Sequence, residues 1–180
     1  MNLRIGSLRC VRAFLMIGGL AISTGCAPKP TLQALFTKPE LLGRIRLAVL
    51  GLTPEQEQIF MASYTKAFPG QMITFVERNR LKDVISEQDL LQGRLDEKTR
   101  AKIKRIFGVE ALIMCMYYDD DAGGATRKKL RVRIVDSETG AILGSVITRA
   151  RDDFGYHCEI AVQALKADLI NRKQSEQLAD

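Results

Sequence analysis

Apolar residues in the first half of the chain recur at spacings that predict alternating strands and helices. Residues 44–51 form an apolar-rich run bounded by glycine and proline, which predicts a first strand. Thr53 offers an N-cap and Pro54 a first-turn proline, so a helix should begin there and end before Pro69-Gly70. The side chains expected on its buried face are Ile59, Phe60, Tyr64 and Ala67. Residues 72–77 predict a second strand.

Two further helices are predicted before the next strand. In the first, apolar residues follow one another at approximately helical spacing, namely Leu81, Val84, Ile85 and Leu91. The second covers residues 96–107 and should present Ile103, Ile106 and Phe107 to the core. Its other faces are basic, with Lys98, Arg100, Lys102, Lys104 and Arg105. Gly108 should end this helix, because glycine accepts the left-handed conformation without steric cost.

The last third of the chain predicts a meander of three strands and a final helix. Residues 111–118 are almost continuously apolar, which indicates a strand covered on both faces. Residues 130–136 alternate apolar with basic side chains, which indicates one wet face. A turn at 137–140 leads into residues 141–149, so these two strands should form an antiparallel hairpin. The closing helix, over residues 152–172, has one apolar face made of Phe154, Cys158, Ala161, Leu165 and Leu169.

This order of elements predicts the fold class. Strands that alternate with helices form parallel crossover units, and strands joined by short turns form an antiparallel meander. We therefore expect a single compact α/β domain, with a mixed sheet of about five strands covered by about four helices. The pattern contains neither an internal repeat nor a second core.

The first 26 residues have a different pattern, which is typical of a lipoprotein export signal. Arg4, Arg9 and Arg12 give a positive start, and residues 13–22 form a short apolar run. Small residues, Ser23-Thr24-Gly25, then precede Cys26. A processing enzyme requires small side chains before the cut, and the cysteine sulfur can accept a diacylglyceryl group. We expect Cys26 to be the lipid attachment site and the first residue of the mature protein.

Two alternatives to lipidation remain open at this point. An ordinary cleaved secretory signal needs no cysteine, and Ser23 stands where bacterial lipoproteins most often have leucine. A retained transmembrane helix is disfavoured, because the apolar run is far shorter than the ~20 residues that span a bilayer. Lipidation and ordinary cleavage both place the mature chain outside the cytoplasm.

These features divide the chain into four predicted segments. Residues 1–25 are the signal peptide, 26–43 a lipidated N-terminus and tether, 44–173 the α/β domain, and 174–180 a polar tail. Pro28, Lys29 and Pro30 resist helix and sheet, which suits a tether. Two or more acyl chains give stable membrane anchoring without a transmembrane helix.

Composition narrows the function classes. The chain has 27 basic and 21 acidic residues, a net charge of +6, but three of the arginines lie in the leader. The mature chain would therefore carry 24 basic and 21 acidic residues, a net charge of only +3. This is weak evidence for a nucleic-acid partner, and an envelope location disfavours one further. We expect no nucleic-acid binding.

Cys115 and Cys158 are the thiols left for the folded domain, because Cys10 departs with the leader and Cys26 would be acylated. Oxidising surroundings allow a Cys115–Cys158 disulfide, and its geometry is not fixed by sequence. Cys115 lies in an apolar stretch where a thiol usually packs as a small hydrophobe. A catalytic thiol is disfavoured, because the single histidine, His157, directly precedes Cys158 and adjacent helical residues point to different faces.

Other candidate chemistry is scarce. Asp119-Asp120-Asp121 is the one dense acidic cluster, but its spacing is not that of a calcium loop, and we expect a solvated loop. The basic face of the helix over 96–107 is likewise expected to be solvated, although an anionic lipid or acidic partner is an alternative. No phosphate loop, zinc spacing or nucleophile elbow is present in the sequence. We therefore expect no enzyme, no metal and no cofactor.

Several segments, taken in order, resemble the periplasmic domain of the CsgG-like lipoproteins of curli assembly. The similarity extends over approximately residues 44–149. It lies in Val49-Leu50-Gly51, in Phe75-Val76-Glu77-Arg78 followed by Leu81, Ile85 and Glu87-Gln88, in the junction at 107–113, and in the turn at 135–140. LpoB-like activators of peptidoglycan synthases and the N-terminal domain of TolB are related to the same framework. Glu77-Arg78 also has a structural explanation, as a charge pair at a strand-to-helix junction.

The resemblance implies a noncatalytic adaptor or scaffold in the assembly of an envelope machine for secretion, surface fibres or flagella. Similarity to Gram-negative lipoproteins implies sorting to the outer membrane, because Ala27 rather than aspartate follows Cys26. The domain would face the periplasm, with envelope proteins as partners, and could stack into a homo-oligomeric ring. The loop at 119–128 is too short for the membrane-spanning hairpins of a secretion channel.

Two other functions remain as alternatives. The first is activation of a peptidoglycan synthase, which requires reach: residues 27–42 span at most roughly 55 Å when fully extended. The second is binding or sensing of a small ligand at the sheet edge, for which the sequence supplies no convergent polar anchors.

Overall fold

Six strands and five α-helices make up the part of the chain that the computed structural model describes, residues 31–93, 95–120 and 127–177. The predicted signal peptide and the predicted lipid attachment site, Cys26, lie outside these residues. The strands are β1 (Thr31–Thr37), β2 (Arg46–Leu50), β3 (Thr74–Phe75), β4 (Ala111–Asp119), β5 (Arg127–Asp136) and β6 (Ile142–Arg151). The α-helices are α1 (Pro54–Ala67), α2 (Arg78–Leu81), α3 (Glu87–Gln92), α4 (Glu97–Phe107) and α5 (Phe154–Gln177), and a 3₁₀ helix covers Pro39–Gly43.

The strands form one mixed sheet in the order β1-β6-β5-β4-β2-β3. β2 runs parallel to β3 and to β4, because helices cross over between these strands. β4, β5, β6 and β1 are antiparallel to their neighbours, as expected for strands joined by turns. The predicted α/β class with a mixed sheet is confirmed, and the hairpin of β5 and β6 is present.

Helix α1 begins where the sequence predicts and differs in its buried face. Thr53 accepts a hydrogen bond from the backbone of Gln56, and the Gln56 side chain accepts one from Thr53 in return. Phe60, Tyr64 and Ala67 are buried as predicted. The prediction for Ile59 was wrong, because this side chain is exposed, and the buried position one turn before Phe60 is taken by Glu57.

The helix predicted through residues 81–91 is interrupted. α2 ends at Leu81, and Ser86 starts α3 by accepting a hydrogen bond from the backbone of Asp89. Because the chain starts a new helix at this point, the set of residues that faces the core shifts by one position. Leu90 is therefore buried and Leu91 is exposed, contrary to the prediction. Leu81 and Ile85 are buried as expected.

Helix α4 has the predicted bounds and a narrower buried face. Asp96 caps its start, and Gly108 ends it with a φ of 64°. Ile103 is fully buried, Phe107 is partly buried, and Ile106 is exposed, so the prediction that all three face the core was wrong for Ile106.

The segment predicted as tether contributes to the fold. β1 pairs antiparallel with β6, and the 3₁₀ helix follows it with Leu41 buried in the core. The folded body therefore includes residues 31–43 and does not start at residue 44. At the other end, α5 continues to Gln177, into the segment predicted as a polar tail.

Helices cover the two faces of the sheet unequally. α1 and α5 lie on one face, over buried residues of β2, β4, β5 and β6 that include Val49, Ile113 and Val132. α2, α3 and α4 lie on the other face, around a smaller cluster that includes Leu50 and Leu112. This second cluster contains no residue of β5, β6 or β1, so the described helices leave that part of the sheet face uncovered.

Candidate interaction surface

Methionine and basic side chains lie next to each other on the uncovered part of the sheet, which we call the open face. Met114 and Met116 of β4 lie opposite Arg133 and Arg131 of β5 in the strand register. Met116 is 48% exposed. Two further residues, Tyr118 of β4 and Ile147 of β6, belong to the same face by the alternation of side chains along a strand. The open face is thus both apolar and cationic.

Arg131 is held in place on this face. Its guanidinium carbon lies 6.0 Å from the centroid of the Tyr118 ring, which is within the range of a cation–π contact. Among the described residues, no acidic side chain forms a salt bridge with Arg131 or Arg133. A shallow cleft of about 210 Å³ is lined by these two arginines, Met114, Met116, Gln92 and Gly93. Methionine adapts its shape to different contacts and arginine is enriched in interface hot spots, so this surface suits a protein partner.

A buried ion cluster lies at one end of the open face. Asp120 is buried and forms salt bridges with Lys129, at 2.7 Å, and with Arg149. Asp119 forms an exposed ion pair with Lys128 at 2.7 Å. The acidic cluster thus differs from the predicted solvated loop: Asp119 belongs to β4, Asp120 is buried, and Asp121 lies outside the described residues. Both described aspartates pair with basic residues of the meander.

The basic face of α4 is partly used within the fold. Arg100 donates to the backbone oxygens of Asp136 and Ser137, at 3.3 and 3.4 Å, and Lys104 pairs with Glu138. These two residues secure the turn between β5 and β6. Lys98, Lys102 and Arg105 line a separate surface depression and form no salt bridge within the described ranges. The part of this face that is free to meet a partner is therefore smaller than the sequence suggests.

Arg78 is the centre of a buried charge network. Its Nη1 donates to Glu57 and to the backbone oxygen of Leu52, both at 3.0 Å, and its Nη2 lies 2.6 Å from Glu87. Burial raises the pKa of Glu57 more than the hydrogen bond from Arg78 lowers it. The Arg78 hydrogen bond lowers the pKa of the exposed Glu87. The predicted Glu77-Arg78 charge pair is replaced by Arg78 pairing with Glu57 and Glu87.

Cys115 and Cys158 are both free and buried in the core between the sheet and α5. Burial raises the pKa of Cys158 to about 12 and raises that of Cys115. A thiol that stays protonated is a poor nucleophile. The neighbouring His157 is also buried: its Nδ1 lies 2.7 Å from the Thr148 hydroxyl, and its Nε2 lies 3.0 Å from the backbone oxygen of Arg151. Both ring nitrogens thus have partners other than a thiol.

Two further features are absent from the described ranges. No group of three or more His, Cys, Asp or Glu residues is placed to hold a metal ion. None of the helices there is both long and apolar enough to cross a membrane.

The family comparison agrees with the sequence resemblance. The model of the family described as "Curli production assembly/transport component CsgG" matches residues 70–122. This range begins after α1 and includes β3, α2, α3, α4 and β4. The chain resembles the CsgG-like family over this segment. No curated protein matches the chain.

Several solved structures are similar to this one. The PelC dodecamer from Paraburkholderia phytofirmans matches with a TM-score of 0.47 and 10% identity, over 78% of this chain and 97% of the other. Lipoprotein GNA1162 from Neisseria meningitidis matches with a TM-score of 0.39 and 14% identity, over 76% of this chain and 97% of the other. The LpoB C-terminal domain from Salmonella enterica matches with a TM-score of 0.43 and 16% identity, over 59% and 82% respectively.

Proposed function

We propose that the protein is a noncatalytic lipoprotein of the outer membrane that acts as an adaptor or scaffold in the assembly of an envelope machine. The observation that carries this proposal is the match of residues 70–122 to a family described by assembly and transport of curli. The export signal that ends at Cys26 supports an envelope location. The domain faces the periplasm, where its open face meets another envelope protein.

The start of the fold sets how close to the membrane this adaptor works. β1 begins at Thr31, so that Ala27, Pro28, Lys29 and Pro30 alone separate it from Cys26. Five residue steps reach at most about 18 Å. A body held this close meets partners that are themselves in or near the membrane, and confinement to two dimensions raises the effective concentration of each.

The same geometry disfavours activation of a peptidoglycan synthase, which remains the alternative function. An activator that acts at a distance from its own membrane needs a long tether, and the formation of β1 shortens the one predicted here. Binding of a small ligand is a weaker alternative, because the cleft on the open face is shallow and lined by only two charged side chains.

A secretion channel with inserted membrane hairpins is also disfavoured. β4 ends at Asp119 and β5 begins at Arg127, and both strands pair along their length within the sheet. The connection between them has seven residues, whereas one crossing of a bilayer by a strand takes roughly 9–11.

Affinity capture of the full chain from detergent-solubilised envelopes tests the adaptor proposal. We expect co-purification of a membrane-embedded machine component, and loss of that component in an Arg131→Glu/Arg133→Glu variant. The matched control is Lys98→Glu/Lys102→Glu, which makes the same charge change on α4 and should retain the partner. Capture of a peptidoglycan synthase would favour the alternative, and equal capture by both variants would exclude the open face.

Cys26→Ser tests the anchor separately. The serine variant should leave the membrane fraction and lose incorporation of labelled palmitate, because the acceptor sulfur is gone. A variant that stays with membranes would contradict the lipid anchor.

A further inference from the structure

β1 is an edge strand protected by one bulge and by neither charged residues nor proline. It pairs with β6 on one side, and it is the outermost strand of the described sheet, with no strand partner on its other side. An edge exposes backbone N–H and C=O groups that can pair with another strand. Charged side chains and proline commonly block such pairing, but residues 31–37 contain neither. A bulge between Leu32 and Ala34 interrupts the edge without covering it.

Apolar side chains accompany these open backbone groups. Leu32 is 44% exposed and Leu35 is 37% exposed. The opposite edge of the sheet offers a further strand fewer backbone hydrogen bonds, because β3 is only two residues long. β1 is therefore the edge at which a further strand would gain most, through hydrogen bonds and burial of leucine together.

We propose that β1 pairs antiparallel with β1 of a second copy of this chain, which joins two six-stranded sheets into one. Two identical uncharged strands place no like charges opposite each other, and the antiparallel arrangement gives a closed two-fold contact. The pairing of the two strands depends only on the properties of β1. The strengthening of this pairing at the membrane depends in addition on the proposed lipid anchor at Cys26.

The tether length is compatible with this pair. In an antiparallel arrangement the two Thr31 residues lie at opposite ends, about 20 Å apart across the six residue steps of the strand. Each tether reaches about 18 Å, so both lipids can enter one membrane when the paired strands lie along its surface. A contact of this length buries less than the ~1,200 Å² of a standard stable interface, so we expect it to depend on confinement at the membrane.

Cross-linking of the full chain in its native membranes tests the pair. Leu35→Cys adds an exposed thiol to a chain whose described cysteines are both buried. A short bismaleimide should give a covalent homodimer. Ile106→Cys is the matched control: its side chain is 50% exposed but lies on α4, away from β1, and it should give no homodimer.

Leu32→Lys in the Leu35→Cys background should lower the dimer yield about tenfold, because lysines then oppose each other at the edge. Circular dichroism confirms that the variant is folded. Absence of the homodimer with Leu35→Cys, or an unchanged yield with Leu32→Lys, would overturn the proposal. So would a product between Leu35→Cys on one copy and Met72→Cys, near β3, on another, since that indicates head-to-tail stacking. The Cys26→Ser variant tests the anchor independently of these outcomes: release from the membrane supports the anchor, and retention contradicts it.

Discussion

The side chains on the two faces of strand β5 lie in different surroundings. Leu130, Val132 and Ile134 are fully buried beneath α5, whereas Arg131 and Arg133 point to the open face between them. One strand thus contributes apolar burial at every second position and cationic side chains to the open face at the positions between them. The difference arises because side chains alternate across a sheet, and because α5 covers β5 on one face whereas α2, α3 and α4 do not cover it on the other.

Buried regions of the fold and the open face also differ in how their charged side chains are paired. Buried ionic groups of the fold are paired, as in Asp120 with Lys129 and Arg149, and Asp136 with Arg44. Arg131 and Arg133 on the open face have no such partner in the described ranges. Burying an unpaired charge is costly, whereas an exposed one is hydrated, so an exposed surface such as the open face can keep cations that no acidic side chain neutralises.

The largest expected effect separates neighbours on β5. Ile134→Ala should lower the free energy of unfolding by about 2–5 kcal/mol, because it leaves a cavity in the core beneath α5. Arg133→Ala, one residue away, should change it by less than about 0.5 kcal/mol. Urea denaturation of both variants measures the difference. Equal effects would mean that the two faces of β5 do not differ as described.

A smaller effect is expected at the paired charge of Asp136. Burial by itself raises the pKa of this carboxyl. Hydrogen bonds from Glu138 and Thr139, together with the nearby Arg44, lower the pKa by more than burial raises it, so the net shift is downward. The ionised form therefore stabilises the fold above the unfolded pKa of about 3.9, and this contribution is lost as pH falls through the lower folded pKa.

Asp136→Asn should accordingly cost about 1.5–3 kcal/mol at neutral pH, the worth of hydrogen bonds to a charged group. Its deficit relative to the unmodified protein should shrink below about pH 4. Denaturation at several pH values measures this. A deficit that is constant down to pH 2 would show that the charge itself contributes nothing.

The smallest effect concerns His157, beneath the covered face. Desolvation lowers its pKa despite the hydrogen bond to the backbone oxygen of Arg151, so the folded state favours the neutral ring. The unfolded chain binds the proton more readily, and stability should fall as pH drops below the ordinary value of about 6.5. His157→Gln should flatten the pH dependence of the melting temperature between pH 7 and 5. An unchanged slope in the variant would assign that dependence to other groups.

Features that depend on a few adjacent residues were predicted correctly from the sequence. Thr53 and Pro54 start α1, Gly108 ends α4, and the alternation of basic and apolar residues orients β5, because each depends on the chemistry of a few adjacent residues. β1 was missed, because the prolines before it indicate a tether and its strand conformation depends on pairing with β6, more than a hundred residues away. The exposure of Ile59 and Leu91 was missed for a related reason: apolar spacing does not say which side of a helix the sheet will occupy.

The candidate surface divides in the same way. The residues of the open face are visible in the sequence as arginines and methionines, but nothing there says that Met114 and Met116 lie opposite Arg133 and Arg131, since strand register is a property of the assembled sheet. The sequence by itself determined the α/β class and the principal helix ends, and the export signal at Cys26 stays a prediction. The tertiary structure alone decided which sheet face stays open and which edge stays free, because both depend on where distant helices and strands come to rest.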